Sequence, residues 1–173
     1  MRKILGKDFF KEKTLDIAQS LLGKYLVSSI GGKVIAEKIT EVEAYVGEHD
    51  LASHSSKGKT RRTEVMFGEA GILYIYLVYG MYWMLNVVTE KKGSATAVLI
   101  RSTEHFKGPG VLTRELKITG KLNNKTASRK NSLWFEDREE KILLKDIKRT
   151  PRIGVSYAGP IWSKKKYRFL IKK

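Results

Sequence analysis

Two short segments in the first third of the chain gather side chains suited to acid–base chemistry. Residues 41–45 read Glu-Val-Glu-Ala-Tyr, and residues 50–54 read Asp-Leu-Ala-Ser-His. The two-residue period of a strand predicts that Glu41, Glu43 and Tyr45 share one face. Catalytic residues are often presented in this way, at a strand end and in the loop beyond it.

Glu43 is the leading candidate for a catalytic base. A carboxylate near the end of a buried strand can hold and deprotonate a water molecule. From the residues alone, a solvent-facing strand glutamate is the alternative interpretation. Tyr45 on the same face and His54 just beyond the turn favour a site, but spacing leaves both interpretations open.

A dense set of tyrosines in the middle of the chain could bind flat ligands. Aromatic faces stack nucleic-acid bases and attract cationic rings through the ring quadrupole. Ordinary packing is the alternative, because tyrosine is common in strands. One tyrosine precedes Gly80 at a predicted turn, where it could project and wedge into a duplex. The set comprises Tyr74, Tyr76, Tyr79 and Tyr82.

Two further features are compatible with a polar ligand. Asn86 follows an apolar run, and a buried amide either caps a local turn or meets a ligand. A basic loop, formed by Lys57, Lys59, Arg61 and Arg62, could contact phosphates, although a solvated loop fits it equally well. The sequence contains neither a Walker loop nor a dinucleotide-binding fingerprint.

The charge balance favours a polyanionic partner. The 173 residues include 34 Lys or Arg and 18 Asp or Glu, which gives a net charge of +16. Residues 121–173 alone carry 16 basic and 5 acidic side chains. Such a field attracts nucleic acid. A basic soluble protein or lysine enrichment in a heat-adapted organism would explain the charge without such a partner.

Composition also limits the other kinds of site. There is no cysteine, and the spacing of His49, His54 and His105 is not that of a zinc pair, so we expect no metal site. No apolar run reaches membrane-spanning length, and the N-terminus lacks the apolar core of a signal peptide. We therefore expect no membrane partner and an intracellular location.

The elements that would position these groups belong to one mixed α/β (α+β) domain. A helix is predicted over residues 14–22, with Thr14 as N-cap and Gly23 just after its end. A second helix is predicted to begin near Pro109. Strands are predicted over residues 25–30, 33–45, 72–78, 83–89 and 95–101, and a Gly31-Gly32 hairpin turn joins the first two.

Connectivity favours an antiparallel sheet, because the later strands follow one another through short turns. Residues 120–133 are polar and asparagine-rich, and we expect a mobile loop there. Residues 152–173 contain two short strand patterns around the Lys164-Lys165-Lys166 turn.

Several ordered blocks of sequence together identify a family. They are residues 21–27, 41–45, 50–54, 60–63, 66–68, 74–81, 86–88, 97–101, 108–110, 152–155 and 167–169. In order and separation they resemble the alkyladenine (3-methylpurine) DNA glycosylases of base-excision repair, over nearly the whole chain. The resemblance implies a single compact domain, residues 1–173, with a curved antiparallel sheet flanked by short helices.

The resemblance also implies a reaction. The enzyme would flip an alkylated or deaminated purine out of duplex DNA and hydrolyse its N-glycosidic bond with water, leaving an abasic site, without a cofactor. By position, Glu43 corresponds to the base that activates water, and Arg101 to a residue near that carboxylate. The partner would be double-stranded DNA containing damaged purines, and a monomer would suffice. The location would be cytoplasm and nucleoid in a prokaryote, or the nucleus in a eukaryote.

The same correspondence assigns residues that recognise the base. Tyr45, His54 and Tyr76 correspond to the pocket that sandwiches and hydrogen-bonds the extruded purine. Asn86 corresponds to a residue that helps to exclude guanine, and Tyr79 to the one that fills the gap in the helix. The basic loop would hold phosphates.

Some alternatives remain open at the level of the sequence. A lysine could instead act as nucleophile through a Schiff base, or the chain could be a non-catalytic module that stacks bases on its tyrosines. Val111 stands where many relatives have a lysine, and the segment 82–85 departs from common family patterns. The sequence does not rank 3-methyladenine, 7-methylguanine, hypoxanthine and ethenoadenine as substrates.

Overall fold

The secondary structure alternates short helices with a long series of strands. The computed structural model describes residues 1–172. Four α-helices are present in that range: α1 (Lys7–Phe10), α2 (Thr14–Leu21), α3 (Pro109–Glu115) and α4 (Gly159–Trp162). Nine strands accompany them: β1 (Lys3–Ile4), β2 (Tyr25–Ser28), β3 (Ile35–Val46), β4 (Leu73–Val78), β5 (Tyr82–Thr89), β6 (Thr96–Thr103), β7 (Leu133–Asp137), β8 (Ile147–Thr150) and β9 (Arg168–Ile171).

All strand pairs are antiparallel, and the sheet order is β1-β7-β2-β3-β6-β5-β4. Strand β9 pairs with β3 and with β8. The sheet curls, and its strands and short helices form one compact α+β domain, so the predicted fold class is confirmed. The longest strand, β3, is central because it pairs with β2, β6 and β9, and it carries the ionisable segment 41–45.

A bulge in β3 decides which of its side chains face the core. Its register against β6 shifts on both sides of Glu41, and a bulge reverses the alternation of faces beyond it. Ile39 before the bulge and Val42 and Ala44 after it are therefore all fully buried. The strand predicted over residues 33–45 begins too early, since Val34 lies outside β3 and is 64% exposed.

Helix α2 packs its apolar stripe against the sheet. Ile17, Ala18 and Leu21 are buried in the main core, and each large side chain contributes about 1.5–3 kcal/mol by burial. Gly23 follows the C-cap with φ of +81°, as expected for a residue just past the helix end. Thr14 is not the N-cap, which is Lys13; its hydroxyl instead bonds to Thr89 and Glu90 on the sheet.

Two local predictions were wrong in detail. Strands β2 and β3 are joined by residues 29–34, a connection longer than the two glycines predicted. Residues 120–133 contain two short 3-10 helices, and Leu73 of β4 exchanges backbone hydrogen bonds with Asn124 and Lys125; their mobility stays a prediction. The first of the two strand patterns predicted in residues 152–173 is absent, because residues 152–155 follow β8 and form no strand. Strand β7 was not predicted at all. Within residues 1–172, no helix is long and apolar enough to cross a membrane.

Candidate functional site

A cavity of about 340 Å³ opens beside the ends of β3 to β6. The loop after β3 and the segment that follows β8 complete its wall. The sequence singled out six residues for catalysis and base binding, and all six line this cavity: Glu43, Tyr45, His54, Tyr76, Asn86 and Arg101. Tyr79 lies at the same cavity. The structure therefore brings together residues from four strands and one loop.

Glu43 is the most deeply buried ionisable group of the cavity wall. Its side chain is fully buried, and a buried carboxylate needs hydrogen-bond partners. The backbone N–H of Ile153 donates to Oε1 at 2.8 Å, and the Tyr45 hydroxyl donates to Oε2 at 2.9 Å. Arg101 Nη1 lies 3.4 Å from Oε1. The carboxylate is thus held in one orientation, with lone pairs left for a further ligand.

Arg101 is itself positioned by a second carboxylate. Its Nε donates to Glu41 Oε1 at 3.0 Å, and Arg168 Nε donates to the same oxygen at 2.6 Å. Burial alone would raise the pKa of Glu41, but the hydrogen bond and charge of Arg168, with the charge of Arg101, hold it below its usual value. Glu41 therefore stays ionised and fixes the guanidinium of Arg101 beside Glu43.

The aromatic wall of the cavity is electrically neutral. The His54 and Tyr76 rings have centroids 4.6 Å apart, and His54 Nδ1 lies 3.0 Å from the Tyr74 hydroxyl. Burial, followed by the charges of Arg62 and Lys57, lowers the pKa of His54 to about 4.

The phenols of this wall also remain uncharged. Burial raises the pKa of Tyr45 and of Tyr76, and the negative charge of Glu43 adds to both shifts. At neutral pH the wall therefore offers an uncharged imidazole and protonated phenols.

Asn86 does not cap a turn, because it lies inside β5. Its Nδ2 donates to the backbone oxygen of Tyr74 at 3.1 Å, across the β4–β5 pair. The residue is almost fully buried and also lines the cavity. The amide is thus fixed by the local backbone while it forms part of the wall.

Tyr79 projects from the tip of the β4–β5 hairpin. Its side chain is 87% exposed, and its φ is +52°, followed by +68° at Gly80. Met81 N donates to Val78 O across this tight turn. Two successive positive φ values favour a turn that matches the twist of the strands. The predicted turn, from which the Tyr79 side chain projects, is therefore confirmed. A bulky non-glycine residue at positive φ is uncommon.

The basic loop divides into two parts. All four of its side chains are exposed. The Arg62 guanidinium lies 5.2 Å from the centre of the Tyr76 ring, and Lys57 and Arg62 line a second cavity of about 770 Å³ that shares His54 with the first. Lys59 and Arg61 line neither cavity. Only half of the predicted loop thus approaches the aromatic wall.

Residues far along the chain complete the site, and their roles were not predicted. Arg152 and Asp50 form a fully buried ion pair, and Ile153 supplies the amide on Glu43. More than 100 positions separate Arg152 and Ile153 from these partners, so no local spacing indicates the contacts. Across residues 1–172, no three His, Asp or Glu side chains group as a metal site would require.

Comparisons with known proteins place the chain among related sequences. A family model described as methylpurine-DNA glycosylase (MPG) matches residues 8–108 and 103–173. A protein of Legionella pneumophila (strain Paris) is 46% identical over 179 residues, covering 99% of this chain and 96% of its own length.

Two further relatives show the same similarity. One from Ehrlichia ruminantium (strain Welgevonden) is 45% identical and covers 99% of this chain and 90% of its own length. One from Methanocella arvoryzae (strain DSM 22066 / NBRC 105507 / MRE50) is 42% identical and covers 90% and 86%. All three carry the name "Putative 3-methyladenine DNA glycosylase".

Proposed function

Because this chain belongs to the methylpurine-DNA glycosylase family, as its sequence predicted, we propose that it excises alkylated or deaminated purines from duplex DNA. The reaction is hydrolysis of the N-glycosidic bond between the purine and deoxyribose, and it leaves an abasic site. The observation that carries the proposal is the buried Glu43 carboxylate, which accepts two hydrogen bonds and forms an ion pair with Arg101 in a cavity with aromatic walls.

Glu43 is the base that activates water in this proposal. Water donates a hydrogen bond to Glu43, its proton passes to the carboxylate, and the hydroxide adds to the anomeric carbon as the purine leaves. The carboxylate charge also stabilises the oxocarbenium-like sugar of the transition state. Arg101 lies near enough to orient the carboxylate, and Glu41 balances its charge.

The aromatic wall suits an extruded purine. Inside a duplex the anomeric carbon is shielded, so the nucleotide must leave the stack at a cost of a few kcal/mol. Tyr45, Tyr76 and His54 offer flat faces and polar edges to the base, and a cationic methylated base gains from the ring quadrupoles. Asn86 lies in the same wall and, in this proposal, disfavours guanine.

The hairpin tip and the basic loop would hold the duplex. Tyr79 is exposed at the cavity mouth and would occupy the gap that the flipped nucleotide leaves. Lys57, Lys59, Arg61 and Arg62 would contact phosphates, which position the protein without reading sequence.

A lysine nucleophile has less support than water. Within residues 1–172, no lysine lines the cavity that holds Glu43. A module that only stacks bases would gain nothing from a fully buried carboxylate, which is costly to desolvate. The proposal therefore favours a monofunctional hydrolase.

The test is direct observation of the released base. The protein is incubated with methylated duplex DNA, and free 3-methyladenine and 7-methylguanine are measured by chromatography. Separate duplexes carrying hypoxanthine or ethenoadenine rank the neutral lesions. Release of a free purine supports the proposal, and a covalent DNA adduct after borohydride treatment would favour the lysine mechanism. Tight binding without release from any of these substrates would favour the stacking module. Sedimentation of the protein alone and on a lesion duplex tests the expected monomer.

A further inference from the structure

Asp50 and Arg152 form an ion pair beneath the cavity, and both side chains are fully buried. The pair is bidentate: Arg152 Nη1 donates to Asp50 Oδ2 at 2.5 Å, and Nη2 donates to Oδ1 at 2.8 Å. Burial opposes the charge on Arg152, but the hydrogen bonds and the negative charge of Asp50 raise the pKa of Arg152 above its usual value. Arg152 Nε has no hydrogen-bond partner within the described chain, and the guanidinium lies 4.8 Å from the centre of the Tyr45 ring and 5.3 Å from that of Tyr167.

Arg152 and the residue after it contact three consecutive residues of β3. The Ile153 amide donates to Glu43 Oε1 at 2.8 Å, and Arg152 Nη1 donates to the backbone oxygen of Ala44, also at 2.8 Å. The guanidinium lies 4.8 Å from the centre of the Tyr45 ring. These contacts hold the segment after β8 against the part of β3 that carries Glu43.

Asp50 also contacts the end of β3 and the loop that follows it. Besides Arg152, its carboxylate accepts hydrogen bonds from the amides of Val46 at 3.2 Å and Ala52 at 3.1 Å. Val46 is the last residue of β3, and Ala52 lines the cavity. One carboxylate therefore joins the end of β3, the loop toward His54 and the Arg152 segment.

We propose that the Asp50–Arg152 pair is a positioning element for the reaction: it holds the Ile153 amide on Glu43 Oε1 and the Tyr45 ring beside the same carboxylate. Glu43 Oε2 is then presented to water in a fixed direction. This role rests on the proposed function of Glu43 as the base. Stability alone explains the pair poorly, because apolar replacement of a buried ion pair is often neutral or stabilising.

The chain offers a matched control pair away from the cavity. Arg138 Nη2 lies 2.9 Å from Glu136 Oε2, and the guanidinium lies 4.1 Å from the centre of the Tyr25 ring. The control thus repeats the elements of the test pair, a largely buried carboxylate, an arginine and a stacked tyrosine. None of these residues lines the cavity.

The experiment compares two paired substitutions. Asp50→Leu with Arg152→Met removes the test pair, and Glu136→Leu with Arg138→Met removes the control pair. Hydrogen exchange of the Ile153 amide is followed by NMR, and base release from methylated duplex DNA is measured under single-turnover conditions. Global stability and affinity for the duplex are measured alongside.

The proposal predicts faster Ile153 exchange and about 10–100-fold slower base release in the test variant, the scale of rate loss for a misplaced catalytic group. Affinity for duplex DNA stays close to that of the parent, so the loss falls on the chemical step and not on KM. The control variant keeps both the exchange rate and base release. Unchanged Ile153 protection, or unchanged base release, in the test variant would overturn the proposal.

A second variant covers failure of the test protein to fold. Arg152→Lys keeps the positive charge, but an ammonium cannot reproduce the planar fork to Asp50 and Ala44. It should slow base release with little change in KM; full activity would contradict the positioning role. The exchange measurement needs no substrate. A parent that releases no base would therefore count against the glycosylase function, whereas unchanged Ile153 exchange would count against the positioning role alone.

Discussion

The Tyr45 hydroxyl donates a hydrogen bond of 2.9 Å to Glu43 Oε2, two residues earlier on the same strand. Burial raises the pKa of Tyr45 well above its usual value, with a further contribution from the Glu43 charge. The phenol therefore remains a neutral donor across the working pH range. The hydrogen bond from this phenol fixes the direction of Glu43 Oε2, the oxygen to which we assign the water.

Removal of this hydroxyl should slow the chemical step. Tyr45→Phe keeps the ring for stacking but removes a hydrogen bond to a charged group, which is worth about 1.5–3 kcal/mol. We expect base release in single turnover to fall about tenfold or more, with duplex affinity nearly unchanged. Rates equal to those of the parent would show that the hydroxyl does not orient Glu43.

His54 should remain neutral far below its usual titration range. Burial, then Arg62 and Lys57, lowers its pKa to about 4. Arg62→Ala removes a positive charge, so protonation becomes easier and the pKa of His54 should rise. NMR titration of the ring measures this, with Arg61→Ala as the neighbouring control. A parent pKa near 6.5, or no change in Arg62→Ala, would contradict the account.

Folding stability should reflect the same shift. The unfolded chain binds a proton at His54 near pH 6.5, whereas the folded protein does so only near pH 4. The stability contributed by the neutral ring is therefore complete above pH 6.5 and is lost as the pH falls toward 4. In denaturant unfolding, the free energy of unfolding of His54→Gln should fall less between pH 6.5 and pH 4 than that of the parent. An identical pH dependence of the two proteins would contradict the lowered pKa of His54.

Tyr79 should contribute to binding and not to folding. Tyr79→Gly removes an exposed side chain at a position with φ of +52°, where glycine is unstrained. Loss of one stacking ring should weaken binding to a lesion duplex by about 1–3 kcal/mol. Fluorescence anisotropy measures affinity, and thermal unfolding should be nearly unchanged. An affinity equal to that of the parent would contradict the proposal that Tyr79 fills the gap left by the flipped nucleotide.

Lys59 should act only through charge. It is exposed and lines neither cavity, so Lys59→Ala should weaken DNA binding alike on damaged and undamaged duplexes. The slope of log affinity against log salt should decrease by about 1. The control is Lys33→Ala, in the connection that precedes β3 and at the far end of that strand from Glu43. An equal loss from both variants would mean that the predicted loop has no special role.

Local patterns in the sequence predicted most of the sheet and the candidate residues. Strand alternation put Glu43 and Tyr45 on one face, and their hydrogen bond is consistent with that face. Gly80 marked the turn at the tip of the β4–β5 hairpin, but the positive φ of Tyr79 was not predicted. The family resemblance, and not spacing, supplied Arg101 as a candidate and the binding roles of the other site residues, which are Tyr45, His54, Tyr76, Tyr79 and Asn86.

Other features depend on contacts that local patterns do not encode. The bulge beside Glu41 changes which residues of β3 face the core, and nothing in the alternation marks it. The amide on Glu43 comes from Ile153, 110 positions away, in a segment that looked like a strand. The Asp50–Arg152 pair likewise exists only after β3 and the C-terminal segment have come together.

The most direct test of the central claim compares Glu43→Gln with Glu37→Gln. Glu37 is also a buried glutamate of β3, but it lies before the bulge and bonds to His105. Single-turnover release of methylated purine from duplex DNA is measured for both variants, together with duplex affinity. We predict that Glu43→Gln loses at least about 100-fold in rate while binding persists, and that Glu37→Gln retains the parent rate. Substantial base release by Glu43→Gln would contradict the assignment of Glu43 as the base.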